Sequence, residues 1–146
     1  MPVSTSAIGK TYAPTTYAVG REKIKEYASA VGETNPVHLD PEAARAAGYA
    51  DVVAPPMFAV VYKSPAVIPA LFDPEVGINF AMMVHGGQEF VWSAPVVAGD
   101  EITTTASVKD ISERASMGFF VFETTSVNQR GETVCVGEWT NIVRGV

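Results

Sequence analysis

One short loop of the chain combines a carboxylate with an imidazole. In the segment Gly32–His38, which reads GETNPVH, Glu33 and His38 stand five residues apart across an Asn-Pro step. On a helix the two side chains would diverge, whereas a proline-stiffened extended loop lets both turn towards one point. A carboxylate and a histidine that meet one substrate can activate water and move a proton, and each such group contributes ~10²- to 10⁴-fold in rate. The pair is suited to adding or removing water beside a carbonyl group.

The same residues also have a purely structural interpretation. The loop could join two helices and cap them, with Glu33 in solvent and His38 packed as a polar core residue. An acid and a histidine at this spacing are a weak signal. From the pattern alone the structural role is the commoner one, and both interpretations remain open.

Two short helices flank the loop. The segment from Gly20 to Gly32 has apolar residues at three- and four-residue intervals and ends in a glycine suited to a left-handed cap. The residues Asp40-Pro41-Glu42 then offer a capping side chain, a proline at the first helical position and an acid in the first turn. These signals predict a second helix that ends near Gly48.

A third helix is predicted from the most apolar part of the chain. The run Met57 to Tyr62 is almost wholly apolar, so a buried helix can start near Pro56. Pro65 lies within the same segment, and a proline inside a helix removes a hydrogen bond and clashes with the preceding turn. The sequence therefore predicts a central helix that is broken or kinked near Pro65.

The second half of the chain has the two-residue periodicity of strands. The predicted strands are Phe80–Val91, Glu101–Ile111, Met117–Val127 and Thr133–Val143. Helices followed by adjacent strands predict an α+β fold with the helices on one face of an antiparallel sheet. We expect a single hot-dog domain over residues 1–146, in which the sheet wraps the central helix. The exposed sheet edge invites a partner, so a dimer is expected.

Composition excludes several classes of function. The 146 residues carry a net charge of -6, which disfavours nucleic acid as a partner because that affinity depends on Lys and Arg. No apolar run reaches the roughly 20 residues needed to span a bilayer. The single cysteine, Cys135, and the two histidines form no metal-ligand spacing. We expect a cytoplasmic protein without a metal or other cofactor.

Several motifs resemble one known family over nearly the whole chain. They are the Glu33–His38 loop, the segment Gly48–Phe58 (GYADVVAPPMF), Val84–Gly87 (VHGG) and Pro95–Asp100 (PVVAGD). On these motifs the chain is identified as a member of the MaoC-like hydratases and dehydratases. It is similar to an actinobacterial subfamily related to non-catalytic subunits of mycobacterial 3-hydroxyacyl carrier-protein dehydratases.

The resemblance implies roles for particular residues. Glu33 and His38 would be catalytic, and the predicted substrate-binding residues are Asn35, Pro56, Met57, Phe58, Tyr62 and His85. For Phe58 and Tyr62 on the central helix, ordinary core packing is the commoner alternative. For His85, which stands beside two glycines in a predicted strand, a β-bulge is the structural alternative. Five basic residues could meet a phosphate of the substrate or could simply be solvated: Arg21, Lys23, Lys25, Arg45 and Lys63.

Two departures from the family pattern affect the expected activity. Glu33 stands where active members usually carry Asp, which displaces the carboxylate by about 1.5 Å, and shifts of that order can cost about 10²-fold. Pro56 stands where active members have the glycine of His-Gly-Met, whose N–H is thought to stabilise charge on the thioester oxygen. Proline has no N–H to donate. Met57 offers the next N–H along the chain.

These observations leave three functional hypotheses. The first is a subunit of a hydro-lyase that interconverts (3R)-3-hydroxyacyl and trans-2-enoyl thioesters of coenzyme A or acyl carrier protein. It would act as a homodimer or as a heterodimer with a second MaoC-like subunit, which would supply what Pro56 removes. The second is a non-catalytic module that binds acyl thioesters. The third, a hot-dog thioesterase, has only the fold in its favour.

Overall fold

The computed structural model describes residues 2–146, and its strands form one antiparallel sheet. The strand order is β1-β3-β4-β5-β2, so β1 and β2 are the two edges. In chain order the strands are β1 (Thr15–Ala18), β2 (Met83–Trp92), β3 (Glu101–Arg114), β4 (Met117–Val127) and β5 (Thr133–Arg144). The predicted α+β hot-dog arrangement is confirmed.

The helices precede the long strands, as the apolar periodicity predicted. They are α1 (Arg21–Ala30), α2 (Pro41–Ala46) and α3 (Ala59–Leu71). Asp40 caps α2 by accepting a hydrogen bond from the Glu42 N–H at 3.0 Å, and Pro41 occupies the first turn. Single 3₁₀ turns precede α2, α3 and β2, over Pro36–His38, Pro56–Phe58 and Phe80–Met82 respectively.

The central helix α3 runs without a break through Pro65 and Pro69, so the predicted break at Pro65 is wrong. Each proline removes one helical hydrogen bond. Burial outweighs that loss, because Ala66, Val67 and Ala70 are each at most 2% exposed and pack within the core. The Ser64 hydroxyl also donates to the carbonyl of Val60 one turn earlier.

Two apolar clusters fill the space between α3 and the sheet. Around the start of α3, Phe58 and Tyr62 pack with Ile24, Val52 and Ile102. Around its end, the cluster comprises Ala7, Val67, Ala70, Val76, Val108, Ile111, Phe120, Phe122 and Val143. The helix packs mainly against β3, β4 and β1, which leaves the inner face of β2 less covered.

Edge strand β2 is the least buried of the long strands. Val84, Val91 and Trp92 are 43%, 60% and 47% exposed, and the outer side of the strand has no pairing strand among residues 2–146. The strand begins at Met83 rather than at the predicted Phe80, because Asn79 caps the 3₁₀ turn Phe80–Met82 through the Ala81 N–H at 3.1 Å. A bulge lies between His85 and Gly87, at the glycines where the sequence allowed one.

One strand was not predicted from the sequence. Strand β1 has only four residues and pairs with the start of β3, where Thr15 lies opposite Thr104. Within residues 2–146, no helix has the length and apolar character needed to cross a membrane.

Candidate active site

A cavity of about 510 Å³ opens where the Asn35–His38 loop, the start of α3 and the end of β2 meet. Its walls are largely apolar, and the polar side chains on it come from His38, Asn35, Tyr49, Tyr62, Trp92 and Ser93. The remaining lining residues are Val37, Val53, Ala54, Pro55, Pro56, Ala94, Pro95, Val96 and Val134. We call this cavity the His38 pocket. A concave apolar site with a few convergent polar groups is the usual form of a small-molecule site.

His38 is held in one orientation by the backbone. Its Nδ1 lies 2.6 Å from the carbonyl oxygen of Val53, which can only accept, so Nδ1 carries the proton and donates. The Val53 N–H in turn donates to the carbonyl of Val37 at 2.9 Å, which ties the two loops together. In the neutral tautomer, a proton on Nδ1 leaves Nε2 as the nitrogen that can accept one.

Glu33 lies next to the pocket but does not line it. One carboxylate oxygen accepts hydrogen bonds from the N–H groups of Thr34 at 3.0 Å and Asn35 at 3.1 Å. The Asn35 bond, then the nearby His38 and the Thr34 bond, lower the pKa of Glu33, against the opposing effect of burial. The carboxylate is thus ionised at neutral pH, with its second oxygen unused by these bonds.

The predicted site residues are divided between the pocket and other parts of the structure. Asn35, Pro56 and Tyr62 line the pocket together with His38. Phe58 is fully buried and packs edge-on against Tyr27, with ring centroids 5.5 Å apart.

The turn before α3 has few free backbone donors. Pro56 has no N–H, and the Phe58 N–H donates to the carbonyl of Pro55 at 2.9 Å. Met57, which is 46% exposed and does not line the pocket, carries the remaining N–H of this turn. The carbonyl of Pro56 accepts a hydrogen bond from Nε1 of Trp92 at 2.8 Å, so the turn is fixed to the end of β2.

His85 lies apart from His38 in the chain. It is exposed on β2, edge-on to Trp139 with ring centroids 6.2 Å apart. Trp92, at the pocket end of the same strand, is seven residues further along, which at about 3.3 Å per residue corresponds to roughly 23 Å. Within one chain His85 therefore does not reach the His38 pocket.

Sequence reasoning missed Trp92 and Tyr49. Trp92 stands one residue beyond the predicted end of its strand, and its side chain reaches the start of α3. Tyr49 lies in the Gly48–Phe58 motif and lines the pocket near its mouth, being 38% exposed. An aromatic residue at the end of a strand that precedes a proline turn was the available signal for Trp92.

Two of the candidate phosphate-binding residues are engaged elsewhere. Arg21 forms a two-point ion pair with Asp51, with bonds of 3.0 and 2.6 Å. Lys63 is 0% exposed inside the core, so it is neither a solvated charge nor available to a phosphate in this structure. Among residues 2–146, no group of three or more His, Cys, Asp or Glu side chains is placed to hold a metal ion.

The fold matches that of known dehydratases. Over 94% of this chain and 98% of the other, the structure is similar to a chain of the HadBC (3R-hydroxyacyl-ACP dehydratase) complex from Mycobacterium tuberculosis, with 28% identity and a TM-score of 0.84. A MaoC-like dehydratase superposes with a TM-score of 0.87 and 27% identity over 97% of this chain and 43% of that one. This chain is thus a MaoC-like protein with the hot-dog fold.

The sequence comparisons specify the family. Residues 6–136 match the model of the FAS1-like dehydratase domain region, and the chain belongs to this family. UPF0336 proteins are similar over nearly their full length. That of Saccharopolyspora erythraea is 44% identical over 99% of this chain and 94% of its own, and that of Clavibacter michiganensis subsp. michiganensis is 46% identical over 99% and 98%.

Proposed function

We propose that this chain is a subunit of a hydro-lyase that interconverts (3R)-3-hydroxyacyl and trans-2-enoyl thioesters. The observation that carries the proposal is the orientation of His38, whose Nδ1 bond to Val53 leaves Nε2 as a proton acceptor on a largely apolar pocket. Membership of a dehydratase-domain family supports the same reaction class. An apolar pocket of about 510 Å³ suits an acyl chain carried as a thioester.

In the dehydration direction His38 Nε2 takes the proton from C2, and the hydroxyl leaves C3 as water after it gains a proton, which the imidazolium of His38 returns directly or through Glu33. His38 Nε2 and the unbonded oxygen of Glu33 are the groups of this chain assigned to these proton transfers. The bonded Glu33 oxygen fixes the carboxylate against the loop, because two backbone N–H groups hold it. That the two side chains share one water or ligand atom remains a prediction.

The negative charge that develops on the thioester oxygen needs a hydrogen-bond donor. In the turn before α3 the Pro56 N–H is missing and the Phe58 N–H is already bonded, which leaves Met57. This observation favours a second candidate function, in which the chain binds the acyl group while another subunit provides the complete donor set. Under both functions the ligand is an acyl thioester of coenzyme A or acyl carrier protein.

We propose that the partner pairs along β2. An edge strand with unpaired backbone groups and exposed Val84, Val91 and Trp92 is a template for another strand. A MaoC-like hot-dog subunit carries a strand of the same kind, either from a second copy or from a related chain. The HadBC structure is a complex of related subunits, which supports the second arrangement.

Antiparallel pairing of two β2 strands would give His85 a role. Because such pairing brings the first half of one strand beside the second half of the other, the His85 end of this chain approaches the Trp92 end of its partner. His85 would then contact the partner's pocket rather than its own. This assignment accounts for a histidine that lies on the edge strand and yet far from His38.

The test follows the loss of enoyl-thioester absorbance with purified chain alone and with a second MaoC-like subunit that carries the intact Asp/His pair and the His-Gly-Met donor. We expect little or no turnover by the lone chain and turnover by the pair, reduced by His38→Ala in this chain. Turnover by the pair that is insensitive to His38→Ala would leave this chain as the acyl-binding subunit. Turnover by neither preparation, with no acyl-CoA binding, would overturn both functions.

A further inference from the structure

Lys63 is a charged side chain in the middle of the core. It follows Tyr62 on α3 and is 0% exposed. Its Nζ donates to the hydroxyl of Ser126 at 2.8 Å, to the carbonyl of Cys135 at 3.0 Å and to that of Thr124 at 3.4 Å. Within residues 2–146 no carboxylate forms an ion pair with it. The ammonium is thus held by neutral acceptors alone.

The groups that surround Lys63 are polar or aromatic, and none of those in contact with it is a carboxylate. Strand β5 presents the Cys135 thiol, and Tyr62 lies beside Lys63 on α3 itself. Strand β2 presents the Phe90 ring, and β4 presents Thr124 and Ser126, the latter linked to Thr104 of β3 by a 2.7 Å hydroxyl contact.

The balance of donors and acceptors at Lys63 depends on its protonation state. Burial lowers the pKa of Lys63 to about 8, with a smaller opposing effect of Cys135. The protonated amine has three N–H donors for three acceptors, whereas the neutral amine has two.

The acceptors of Lys63 mark an irregularity in the sheet. Ser126 lies opposite Cys135, but the next residue, Val127, lies opposite Thr133, so Val134 is an extra residue in β5. Such a bulge interrupts the alternation of side chains along a strand and re-aims them. Val134 and Cys135 are accordingly both buried, at 1% and 0% exposure.

The bulge forms part of the wall of the His38 pocket. Val134 lines the pocket itself, and its carbonyl accepts the N–H of Ser93 at 2.9 Å. The carbonyl of Thr133 accepts the N–H of Ala94 at 3.2 Å. Ser93 and Ala94 are also lining residues, so the shape of the bulge determines where this side of the pocket lies.

We propose that Lys63 is a positioning residue that fixes the Val134 bulge, and through it the inner wall that selects the length of the acyl chain. The inference rests on the proposed function for its ligand, but its structural part stands without it. Lys63 touches no substrate in this scheme. It acts by holding the Cys135 carbonyl and the Ser126 hydroxyl in the geometry that turns Val134 inward.

Removing the amine should change the pocket selectively. Lys63→Met keeps the length and apolar stem of the side chain but leaves buried acceptors without their donor, which is unfavourable. The bulge can relieve this by moving towards a regular strand, and Val134 then moves. The binding of a short acyl chain that does not reach Val134 should change little, whereas the binding of a longer chain that contacts Val134 should weaken.

The experiment measures binding of butyryl-CoA and decanoyl-CoA to the full chain by calorimetry. In Lys63→Met we expect the affinity for decanoyl-CoA relative to butyryl-CoA to fall about tenfold, which corresponds to 1.4 kcal/mol. In the wild type the same ratio should fall between pH 7 and pH 9, as the amine loses one donor, and in Lys63→Met it should not depend on pH. A residue needed only for folding would not change this ratio.

Lys109→Met is the matched control. Lys109 lies on β3, its side chain is 47% exposed, and it pairs with Glu138 at 2.6 Å on the outer face. Lys109→Met should leave the ratio of decanoyl-CoA to butyryl-CoA affinity unchanged. If Lys63→Met does not fold, Ser126→Ala removes one acceptor and should shift the ratio in the same direction by a smaller factor.

Amide hydrogen exchange at Ser93 and Ala94 separates the two proposals. Faster exchange in Lys63→Met supports the role of Lys63 even if the wild type binds neither thioester, an outcome that would overturn the proposed function alone. A folded Lys63→Met protein with an unchanged affinity ratio and unchanged exchange at these two amides would overturn the inference.

Discussion

The two ends of α3 differ in how their polar groups are satisfied. Near its start lies the His38 pocket, which His38 lines, and there the hydrogen bond of His38 to the Val53 carbonyl uses Nδ1 and not Nε2. After its end, Asp73 accepts hydrogen bonds from Tyr12 at 2.7 Å and pairs with Lys10 at 2.6 Å, and Lys10 also pairs with Glu75 at 2.8 Å. We call these four residues the Tyr12–Asp73 cluster.

Cavity size does not distinguish the two ends. A second cavity of about 440 Å³ lies beside the Tyr12–Asp73 cluster, close to the 510 Å³ of the His38 pocket. Its only ionisable side chain among the described lining residues is that of Glu75, which is already engaged with Lys10. Polar groups that satisfy each other stabilise a fold, whereas a group held in place but left unpaired is available for chemistry.

The largest expected effect is on activity: a substitution in the His38 pocket should lower it, whereas one in the Tyr12–Asp73 cluster should affect only stability. With the partner subunit present, His38→Ala should lower kcat/KM by at least ~10²-fold because a positioned proton acceptor is lost. Asp73→Asn should leave kcat/KM unchanged, since it lies beyond the other end of α3. Enoyl-thioester hydration and urea unfolding of both variants test this. Equal losses of activity in the two variants would remove the distinction drawn between the two ends.

The second effect is a gain of function at the start of α3. Pro56→Gly restores a backbone N–H at the position where active relatives in the MaoC-like family carry glycine. If the missing donor limits the lone chain, its turnover should rise by up to ~10²-fold, the size of effect seen when one such donor is removed elsewhere. The assay is hydration by the lone chain. Pro55→Gly, which changes the adjacent residue, is the control, and an equal rise there would point to loop flexibility instead.

The third effect concerns Lys63, between the two ends of α3. Here the unfolding free energy should rise, not fall, as pH increases above neutral. The pKa of Lys63 falls from an ordinary 10.5 to about 8 in the folded state, so the folded protein binds fewer protons than the unfolded one above neutral pH. The unfavourable burial of the charge is fully present below pH 8 and is relieved as pH rises from 8 towards 10.5. Relative to Lys63→Met, the wild type should gain about 1 kcal/mol in unfolding free energy between pH 7 and pH 9.

Urea unfolding of the two proteins at both pH values measures this difference. Lys109→Met, whose lysine is exposed, serves as the reference for general effects of pH on the sheet. Parallel changes in the wild type and Lys63→Met would show that the ammonium is not desolvated in the folded protein.

The sequence predicted much of the fold because its elements follow local rules. Alternation and turns placed β3, β4 and β5 within three residues of their observed ends, and Asp40-Pro41 marked the start of α2. The predicted break at Pro65 was wrong, because a local rule about helix breaking does not include the burial of Ala66 and Val67 in the core. Strand β1 has four residues, too few for a periodic signal, and its pairing with β3 is a tertiary effect.

The site was less accessible to sequence reasoning. The loop motif led to His38 and Asn35, but the tautomer of His38 depends on the carbonyl of Val53, fifteen residues away in the chain. Trp92 joins the pocket through a hydrogen bond to the Pro56 carbonyl, a tertiary contact that the position of an aromatic residue at the end of its strand does not specify by itself. Lys63 was interpreted as a surface base because lysine is rarely buried, and only the three acceptors of the core explain its position.

The smallest effect concerns the Tyr12–Asp73 cluster and tests whether it is structural. Lys10 first, and then Tyr12, lower the pKa of Asp73 to about 2, below its ordinary value of 3.8. Its stabilising contribution is therefore complete above pH 3.8 and is lost as pH falls through 2. Asp73→Asn should remove this part of the acid sensitivity, so its unfolding midpoint should decline less steeply over that interval than that of the wild type.

Tyr12→Phe keeps the Lys10 pair and deletes one hydrogen bond, for an expected loss of about 1 kcal/mol at neutral pH. Acid and urea unfolding measure both, with enoyl-thioester hydration by the pair as a parallel readout. If either variant alters the preference between short and long acyl thioesters, the far end of α3 also shapes the substrate site, and the division between a structural end and a chemical end fails.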